Sequence, residues 1–197
     1  WVTGEEATVF GEVVSGRPAD LDEVDTAIGC FVNTVPVAIS LDAQRSWRET
    51  VTEMQRRRME LLEFHQFRLT SANKATGARK LFDSMFVFQS YPSGRDELVR
   101  LLGARELELV DFAGRGATDN ALMVMVFPAD LLFPGEPWQV VVFYAEDSFD
   151  AGDAEIIETA FTNTLRAIAG DVDRRIGATE VLGDEDAAML AMRRMWQ

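Results

Sequence analysis

The segment from Ile28 to Pro36 constrains the fold of this chain more than any other segment. From Phe31 onward its side chains alternate with a period of two, the spacing at which neighbouring residues of a strand point to opposite faces of a sheet. Gly29 precedes the alternating run and indicates a turn, and Pro36 lies within it. Because proline has no backbone N–H to donate, the pattern predicts a strand at a sheet edge or at a bulge.

The residues before this segment have a strand pattern followed by a short helix pattern. Ala7–Val14 predicts a first strand, and Ser15–Pro18 predicts the loop that ends it, because its glycine permits positive φ and its proline restricts the preceding residue. Apolar residues at helical spacing predict a short helix over Leu21–Ile28, with Gly29 as its C-cap.

The clearest helix pattern runs from Ala43 to about Phe67, with apolar residues at mostly three- and four-residue intervals between charged ones. The basic cluster Arg56–Arg58 lies within it. Such a cluster is either a docking patch for an acidic partner or a solvated helix face, and the second is the commoner case.

The second half of the chain mixes strand and helix patterns. Strand patterns cover Leu81–Pro92, Glu106–Phe112, Ala121–Phe127 and Trp138–Tyr144, with a turn predicted over Ala113–Asn120. Helix patterns cover Asp96–Gly103 and a segment from the N-cap Asp150 to about Ala169, whose apolar stripe consists of Ile157, Phe161, Leu165 and Ile168. Strands with both hairpin-like and crossover spacings predict an α/β layered fold with a mixed sheet flanked by helices.

Charge excludes two classes of partner. Lys and Arg number 19 against 33 Asp and Glu, a formal net charge of -14. A surface this acidic repels phosphate backbones and anionic lipid headgroups, so neither a nucleic acid nor a membrane partner is expected. Neither a transmembrane run nor a signal-peptide pattern is present, and we expect a cytoplasmic protein.

Common catalytic signatures are missing from the sequence. It has neither a phosphate-binding glycine loop, nor a nucleophile elbow, nor a Cys or His cluster with metal-ligand spacing, so we expect no metal. The single cysteine, Cys30, is interpreted as a small hydrophobic residue. The single histidine, His65, lies near the end of the long helix, where a partner of the helix dipole is more usual than a base.

Four ordered blocks of sequence resemble the condensation domains of nonribosomal peptide synthetases. These are Val9–Gly11, Val14–Pro18, the G-x-F-x-N-T-x-P order within Ile28–Pro36, and Leu81–Pro92. Phe149–Ala151, Asp171–Arg174 and Leu182–Gly183 are similar to the end of the family's domain. Two departures accompany the resemblance: no proline follows His65-Gln66, and the first helix is reduced to its tail near Trp1.

The resemblance implies a chloramphenicol-acetyltransferase-like fold of two lobes, with a tunnel between them. Phosphopantetheine arms of donor and acceptor carrier domains enter this tunnel, and no cofactor is bound directly. The resemblance assigns residues 1–182 to the C-terminal lobe and 183–197 to the start of a linker to a following synthetase domain. The family's H-H-x-x-x-D-G motif belongs to the N-terminal lobe and is absent here, so no catalytic residue is expected in this chain.

Within this framework several residues are candidates for the tunnel wall. Asn33 either faces the tunnel, where its amide can orient a carbonyl or amine, or ties down neighbouring backbone. Arg17 either orients a loop or binds a carboxylate of the other lobe. The further tunnel candidates are Ser84, Phe88 and Tyr91, and the structural or interlobe candidates are Gly16, Arg17, Pro18, Gly29 and Thr34.

The implied function is half of an amide-forming acyltransferase, inactive on its own. The chain begins at Trp1 and enters a strand pattern almost at once, so we expect a piece of a longer polypeptide. Two alternatives stay open: a non-catalytic module that recruits a carrier protein or partner enzyme, and an epimerisation or heterocyclisation relative.

Overall fold

A computed structural model describes residues 7–17, 23–24, 26–89, 119–130, 135 and 137–188. The predicted helix Asp96–Gly103, the predicted strand Glu106–Phe112 and the candidates Pro18 and Tyr91 lie outside these ranges. Within them the elements are, in chain order, β1 (Ala7–Val14), β2 (Asn33–Ser40), α1 (Trp47–Leu61), a 3-10 helix (Leu62–Phe64), α2 (Leu69–Thr76), β3 (Ser84–Phe88), β4 (Leu122–Phe127), β5 (Gln139–Tyr144), α3 (Ala151–Gly170) and a 3-10 helix (Ile176–Ala178), followed by helical residues at 184–188.

The five strands form one mixed sheet in the order β2-β1-β3-β4-β5. The outer pairs β1/β2 and β4/β5 are antiparallel, and the inner pairs β1/β3 and β3/β4 are parallel. The prediction of an α/β fold with a mixed sheet is therefore confirmed. Among the described strands β2 is outermost on its side, which agrees with the edge strand that Pro36 indicates.

Strand β2 begins two residues later than the sequence predicts. The predicted alternating run starts at Phe31, whereas β2 starts at Asn33, whose register partner is Val14 at the end of β1. Residues 28–32 extend past the last residue of β1 and have no partner among the described strands. An alternating pattern records which side chains face inward, but a ladder also needs a neighbouring strand.

The short helix predicted over Leu21–Ile28 is wrong for its described residues. They form a turn in which the N–H groups of Thr26 and Ala27 both donate to the carbonyl of Glu23. The φ of Glu23 is 55°, in the left-handed region, which a helix excludes. Gly29 therefore does not end a helix, and it is not among the residues with a positive φ.

Helix α1 is shorter than predicted because a cap fixes its first residue. Ser46 accepts a hydrogen bond from the N–H of Glu49, and the Glu49 carboxylate accepts from the N–H of Ser46. This capping box starts the helix at Trp47 rather than at Ala43. The helix ends at Leu61 and tightens into the 3-10 helix, so the predicted end at Phe67 is also wrong.

Helices cover both faces of the sheet. Phe86 of β3 contacts Phe161 of α3, and Glu12, the register partner of Phe86, contacts Arg58 of α1, so α1 and α3 lie on one face. Helix α2, which the sequence did not predict, lies on the other face. There its residues Leu69 and Asn73 line a cavity with Thr34, Phe82 and Met85.

The second half of the sheet and α3 agree with their predictions more closely. Strands β4 and β5 pair in register from Leu122 opposite Tyr144 to Phe127 opposite Gln139. Helix α3 has Asp150 as its N-cap, in a capping box with Asp153. Of its predicted stripe, Phe161 contacts Phe86 of β3, whereas Leu165 is 44% exposed and the buried residues Ile156 and Ala160 lie one residue before the predicted ones.

Leu81–Pro92 contains a shorter strand than predicted. Strand β3 covers Ser84–Phe88, and the preceding Phe82 is buried beside Gly11 of β1. Residues 90–92 lie outside the described ranges. No described helix is both long enough and apolar enough to span a membrane.

Candidate functional site

Most candidate residues meet at one edge of the sheet. The parallel strands β1, β3 and β4 all end at this edge, and the antiparallel strands β2 and β5 begin there. We call it the C-terminal edge. It brings together Gly16, Arg17, Gly29, Asn33 and Phe88, which are spread over more than seventy residues of sequence.

The side chain of Asn33 binds backbone rather than pointing freely from the edge. Its Nδ2 donates to the carbonyl oxygen of His65 at 2.8 Å and to that of Phe67 at 3.0 Å. A carboxamide has two N–H hydrogens, and both are used in this way. The side chain therefore joins the first residue of β2 to the turn that follows the 3-10 helix.

Gly16 allows two backbone segments to approach closely. Its φ is +60°, and a Cβ at this residue would overlap the carbonyl oxygen of Phe31. Residues other than glycine adopt this φ at a cost of roughly 1–2 kcal/mol. A glycine is therefore required at residue 16 for two reasons. The turn has a left-handed φ, and the Phe31 carbonyl leaves no room for a Cβ.

Arg17 holds the segment that leads into β2. Its Nη1 donates to the carbonyls of Val24 and Ala27, the second at 3.2 Å. The guanidinium lies 4.6 Å from the centre of the Phe31 ring, within the range of a cation-π interaction. Gly29 leaves room for the same ring, since a Cβ there would lie only 3.1 Å from a ring carbon.

Thr34 and Ser84 do not share the environment of Asn33. Thr34 points to the opposite face of the sheet, where its methyl group lies beside Gly11 and its side chain lines the cavity under α2. Ser84 begins β3 and is half-buried, about 13 Å from the other end of that strand at roughly 3.3 Å per residue. A ligand that contacts both Ser84 and Phe88 would therefore have to span the whole length of β3.

Phe88 forms an exposed aromatic pair with a residue that sequence reasoning missed. The centre of its ring lies 5.8 Å from that of Trp138, and the two side chains are 38% and 59% exposed. Trp138 precedes β5 and comes to the C-terminal edge through the antiparallel β4/β5 pairing. The sequence predicts a strand from Trp138, one residue before β5 begins, but no local pattern places its ring beside that of Phe88.

His65 is poorly suited to act as a base. Its Nε2 is enclosed and has no hydrogen-bond partner within the described ranges. Burial lowers the pKa of His65, with the charge of Glu12 opposing this shift and that of Arg58 adding to it. Glu12 and Arg58 form an ion pair of 2.6 Å between β1 and α1.

The basic cluster Arg56–Arg58 is neutralised by carboxylates. Arg56 binds both Glu53 and Glu60, Arg57 binds Glu53, and Arg58 binds Glu12. Hydrogen bonds from Arg56 and Arg57 lower the pKa of Glu53 to about 2. These pairs favour the solvated helix face over a docking patch for an acidic partner.

Four apolar side chains in the segments on either side of the Asn33 hydrogen bonds are about half exposed. Val32, Leu62, Phe64 and Phe67 are 51%, 48%, 49% and 50% exposed. Sequence reasoning placed Leu62 and Phe64 on the apolar stripe of a longer helix and therefore missed their exposure. Within the part of the chain that the structure describes, no group of three or more His, Cys, Asp or Glu side chains could hold a metal ion.

Comparison with known proteins gives consistent matches. The family profile described as Condensation domain matches residues 1–191. A linear gramicidin synthase of Brevibacillus parabrevis is 34% identical over 142 residues, which cover 72% of this chain and 3% of that protein. The vanchrobactin synthetase VabF of Vibrio anguillarum is 33% identical over 132 residues, which cover 66% of this chain and 5% of that protein. The chain thus spans only a small part of the length of these relatives.

Two solved structures share the fold. A four-domain nonribosomal peptide synthetase bound to AMP and glycine matches with a TM-score of 0.73 and 18% identity, covering 93% of this chain and 15% of that one. The first condensation domain of the CDA synthetase matches with a TM-score of 0.67 and 18% identity, covering 92% and 39%. The predicted acyltransferase-like fold is confirmed by these likenesses.

Proposed function

Because the chain belongs to the condensation domain family of nonribosomal peptide synthetases, we propose that it is the C-terminal lobe of such a domain and forms one wall of its substrate tunnel. The observation that carries the proposal is the ratio of coverages, since 92% of this chain matches only 39% of a solved condensation domain. The sequence supports the same assignment, because its single histidine excludes an H-H-x-x-x-D-G motif within these residues.

In the reaction proposed for the complete domain, the nitrogen of an acceptor aminoacyl group attacks the carbonyl carbon of a donor thioester. A C–N bond forms, the C–S bond breaks, the amine loses a proton and the sulfur leaves as a thiol. Phosphopantetheine arms of two carrier domains deliver both substrates. The other lobe supplies the histidine, and the lobe described here contributes wall and orientation.

The geometry of the C-terminal edge is compatible with a wall rather than with an acid or base. His65 is enclosed and its pKa is lowered, while Asn33 and Arg17 bind backbone carbonyls of their own lobe. The exposed pair Phe88 and Trp138 offers an apolar surface to a substrate or to the other lobe. None of these groups moves a proton in the proposed reaction.

The test is an assay of peptide-bond formation with loaded donor and acceptor carrier domains, followed by mass spectrometry. Residues 1–197 alone are expected to give no product above the uncatalysed rate. Adding the polypeptide that carries the H-H-x-x-x-D-G lobe of the same synthetase should restore product, and His65→Gln in this chain should leave the restored rate unchanged.

Two outcomes would contradict the proposal. Product from residues 1–197 alone would mean that this chain is catalytically complete. Binding of the added lobe with no product under any donor would favour a recruitment module over a condensing enzyme.

A further inference from the structure

Thr50 of α1 is a buried threonine whose hydroxyl has no hydrogen-bond partner. The residue is 3% exposed, and its Oγ1 makes no hydrogen bond within the described ranges. A threonine in a helix commonly donates to the carbonyl four residues earlier, as Thr76 and Thr164 do here at 3.1 and 2.7 Å. Because a buried hydroxyl without a partner destabilises the folded chain, the exception at Thr50 points to a ligand.

The side chain of Thr50 lines a cavity of about 250 Å³ between α1 and the end of β2. Ile39 and Met54 supply apolar walls, and Arg45 lines the same cavity. The eight residues of β2 separate this end of the strand from Asn33 by about 23 Å, at roughly 3.3 Å per residue. The cavity is therefore distinct from the C-terminal edge.

Arg45 has hydrogen-bond donors to spare beside Thr50. Its Nη2 donates to the carbonyl of Glu49 at 3.1 Å, which places the guanidinium next to the residue that precedes Thr50. A guanidinium has five N–H hydrogens, so the others remain for a ligand. Arg45 forms no ion pair with a carboxylate of the described ranges.

The carboxylates that line the cavity do not compensate Arg45. The Glu53 carboxylate accepts hydrogen bonds from Arg56 and Arg57 at 2.7 to 3.0 Å. Asp42 is exposed, and its Oδ1 accepts from the N–H of Gln44 at 2.8 Å. Arg45 is half-buried, and a half-buried charge gains more from a counter-ion than an exposed one does.

We propose that this cavity binds a small oxyanion, a carboxylate or a phosphate group, which accepts hydrogen bonds from the Arg45 guanidinium and the Thr50 hydroxyl. The fork of a guanidinium matches two oxygens of either group, and the hydroxyl donates a further hydrogen bond. Ile39 and Met54 leave room for a short apolar body attached to the anion. The proposal goes beyond the proposed function, because the site lies outside the C-terminal edge and moves no group in amide formation.

The proposal is tested by NMR titration of the ¹⁵N-labelled chain. Sodium butyrate, sodium phosphate and sodium chloride are added separately at constant ionic strength. Saturable shifts of the Arg45 Nε–H resonance and of the amides in residues 39–57 are expected with an oxyanion and not with chloride. Saturation by butyrate alone identifies a carboxylate ligand, and saturation by phosphate alone identifies a phosphate.

Two substitutions separate binding from stability. Thr50→Val keeps the shape of the side chain and removes the hydroxyl, so it should raise Kd about tenfold. It should also raise the urea midpoint of the chain without ligand, because a buried unpaired hydroxyl is lost. Arg45→Gln removes the charge and should raise Kd at least tenfold.

Matched controls come from α3. The Thr164 hydroxyl donates to the Ala160 carbonyl, so Thr164→Val should lower the urea midpoint and leave Kd within twofold. Arg166 bonds Asn163 on the same helix, and Arg166→Gln should likewise leave Kd within twofold.

Three results would overturn the proposal. The first is the absence of saturable shifts with both oxyanions, or equal shifts with chloride, either of which indicates a solvent-filled cleft. The second is an unchanged Kd in Thr50→Val. The third is equal weakening by Arg45→Gln and Arg166→Gln, which would show a general effect of charge.

Discussion

At the scale of single residues, Gly16 is the most demanding residue of the C-terminal edge. Two independent requirements fall on it, a left-handed φ of +60° and the closeness of the Phe31 carbonyl. Gly77 has only the first requirement, since its φ is +72° and nothing lies within 4 Å of where its Cβ would be. The two glycines therefore separate backbone strain from steric overlap.

We expect Gly77→Ala to lower the free energy of unfolding by about 1–2 kcal/mol, the cost of left-handed backbone for a residue with a Cβ. Gly16→Ala should cost more, because the segment around Phe31 must also move. Urea denaturation of both variants measures the difference. Equal losses of unfolding free energy in the two variants would show that the close approach of Gly16 to the Phe31 carbonyl adds nothing to the cost of an alanine there.

At the scale of elements, three of them meet at His65. Glu12 comes from β1, Arg58 from α1, and His65 caps the 3-10 helix that follows. Burial is the largest cause that lowers the pKa of His65, so the neutral imidazole is favoured in the folded chain. The junction thus favours an uncharged imidazole beside the ion pair of Glu12 and Arg58.

The stability of this junction should depend on pH. The pKa of histidine is about 6.5 when unperturbed, so the unfolded chain binds a proton before the folded chain does as pH falls. The contribution is fully present above about pH 6.5 and is lost as pH falls from there toward the lowered folded pKa. Urea denaturation between pH 7.5 and 5.5 should show this loss, and His65→Gln should reduce it.

The single histidine makes the measurement unambiguous. The chain has one histidine, so its imidazole proton resonance can be followed by NMR without assignment. A folded-state pKa at or above that of the urea-unfolded chain would contradict the expected direction.

Local patterns predicted those elements whose signals are local. The β4/β5 pair was predicted from two apolar runs separated by a loop that contains prolines and glycine, and the cap of α3 was predicted from Asp150. Helix α2 is too short to show a recognisable apolar stripe in the sequence. It depends instead on packing against β2 and β3. The start of β2 was missed because it is set by the end of β1, which no pattern within residues 28–36 contains.

At the scale of the whole molecule, the segment after α3 completes the start of α1. The first N–H groups of a helix lack partners within the helix. Here the N–H of Trp47 donates to the carbonyl of Arg174 and that of Arg48 to the carbonyl of Val172. The Trp47 indole also donates to Thr179, 2.9 Å away and 132 residues later.

Two truncations test where the folded unit ends. Removing residues 171–197 should abolish cooperative unfolding, because it deletes the fully buried Ile176 and exposes Trp47. Burial of such a side chain contributes about 1.5–3 kcal/mol. Removing only 183–197 should leave the unfolding transition unchanged, as expected if residues 1–182 form the lobe. Circular dichroism during thermal unfolding measures both, and a lost transition in the shorter truncation would place the boundary later.

The candidate site was predicted in part. The motif residues Gly16, Arg17, Gly29 and Asn33 could be chosen from sequence because the order of residue types resembles a family. Their partners could not, since the carbonyls of His65 and Phe67 lie more than thirty residues from Asn33. The pairing of Phe88 with Trp138 likewise depends on the β3-β4-β5 order.

By itself the sequence determined the residue types, their alternation and their caps, and these were enough to predict an α/β fold and a family. The tertiary structure decided which of those residues meet. The chemical type of a side chain is evident from the sequence, whereas the acceptor that it binds and the residues that it packs against come from distant segments. For this reason the sequence identified Asn33 as a candidate site residue, and only the fold showed that its side chain binds the turn from His65 to Phe67.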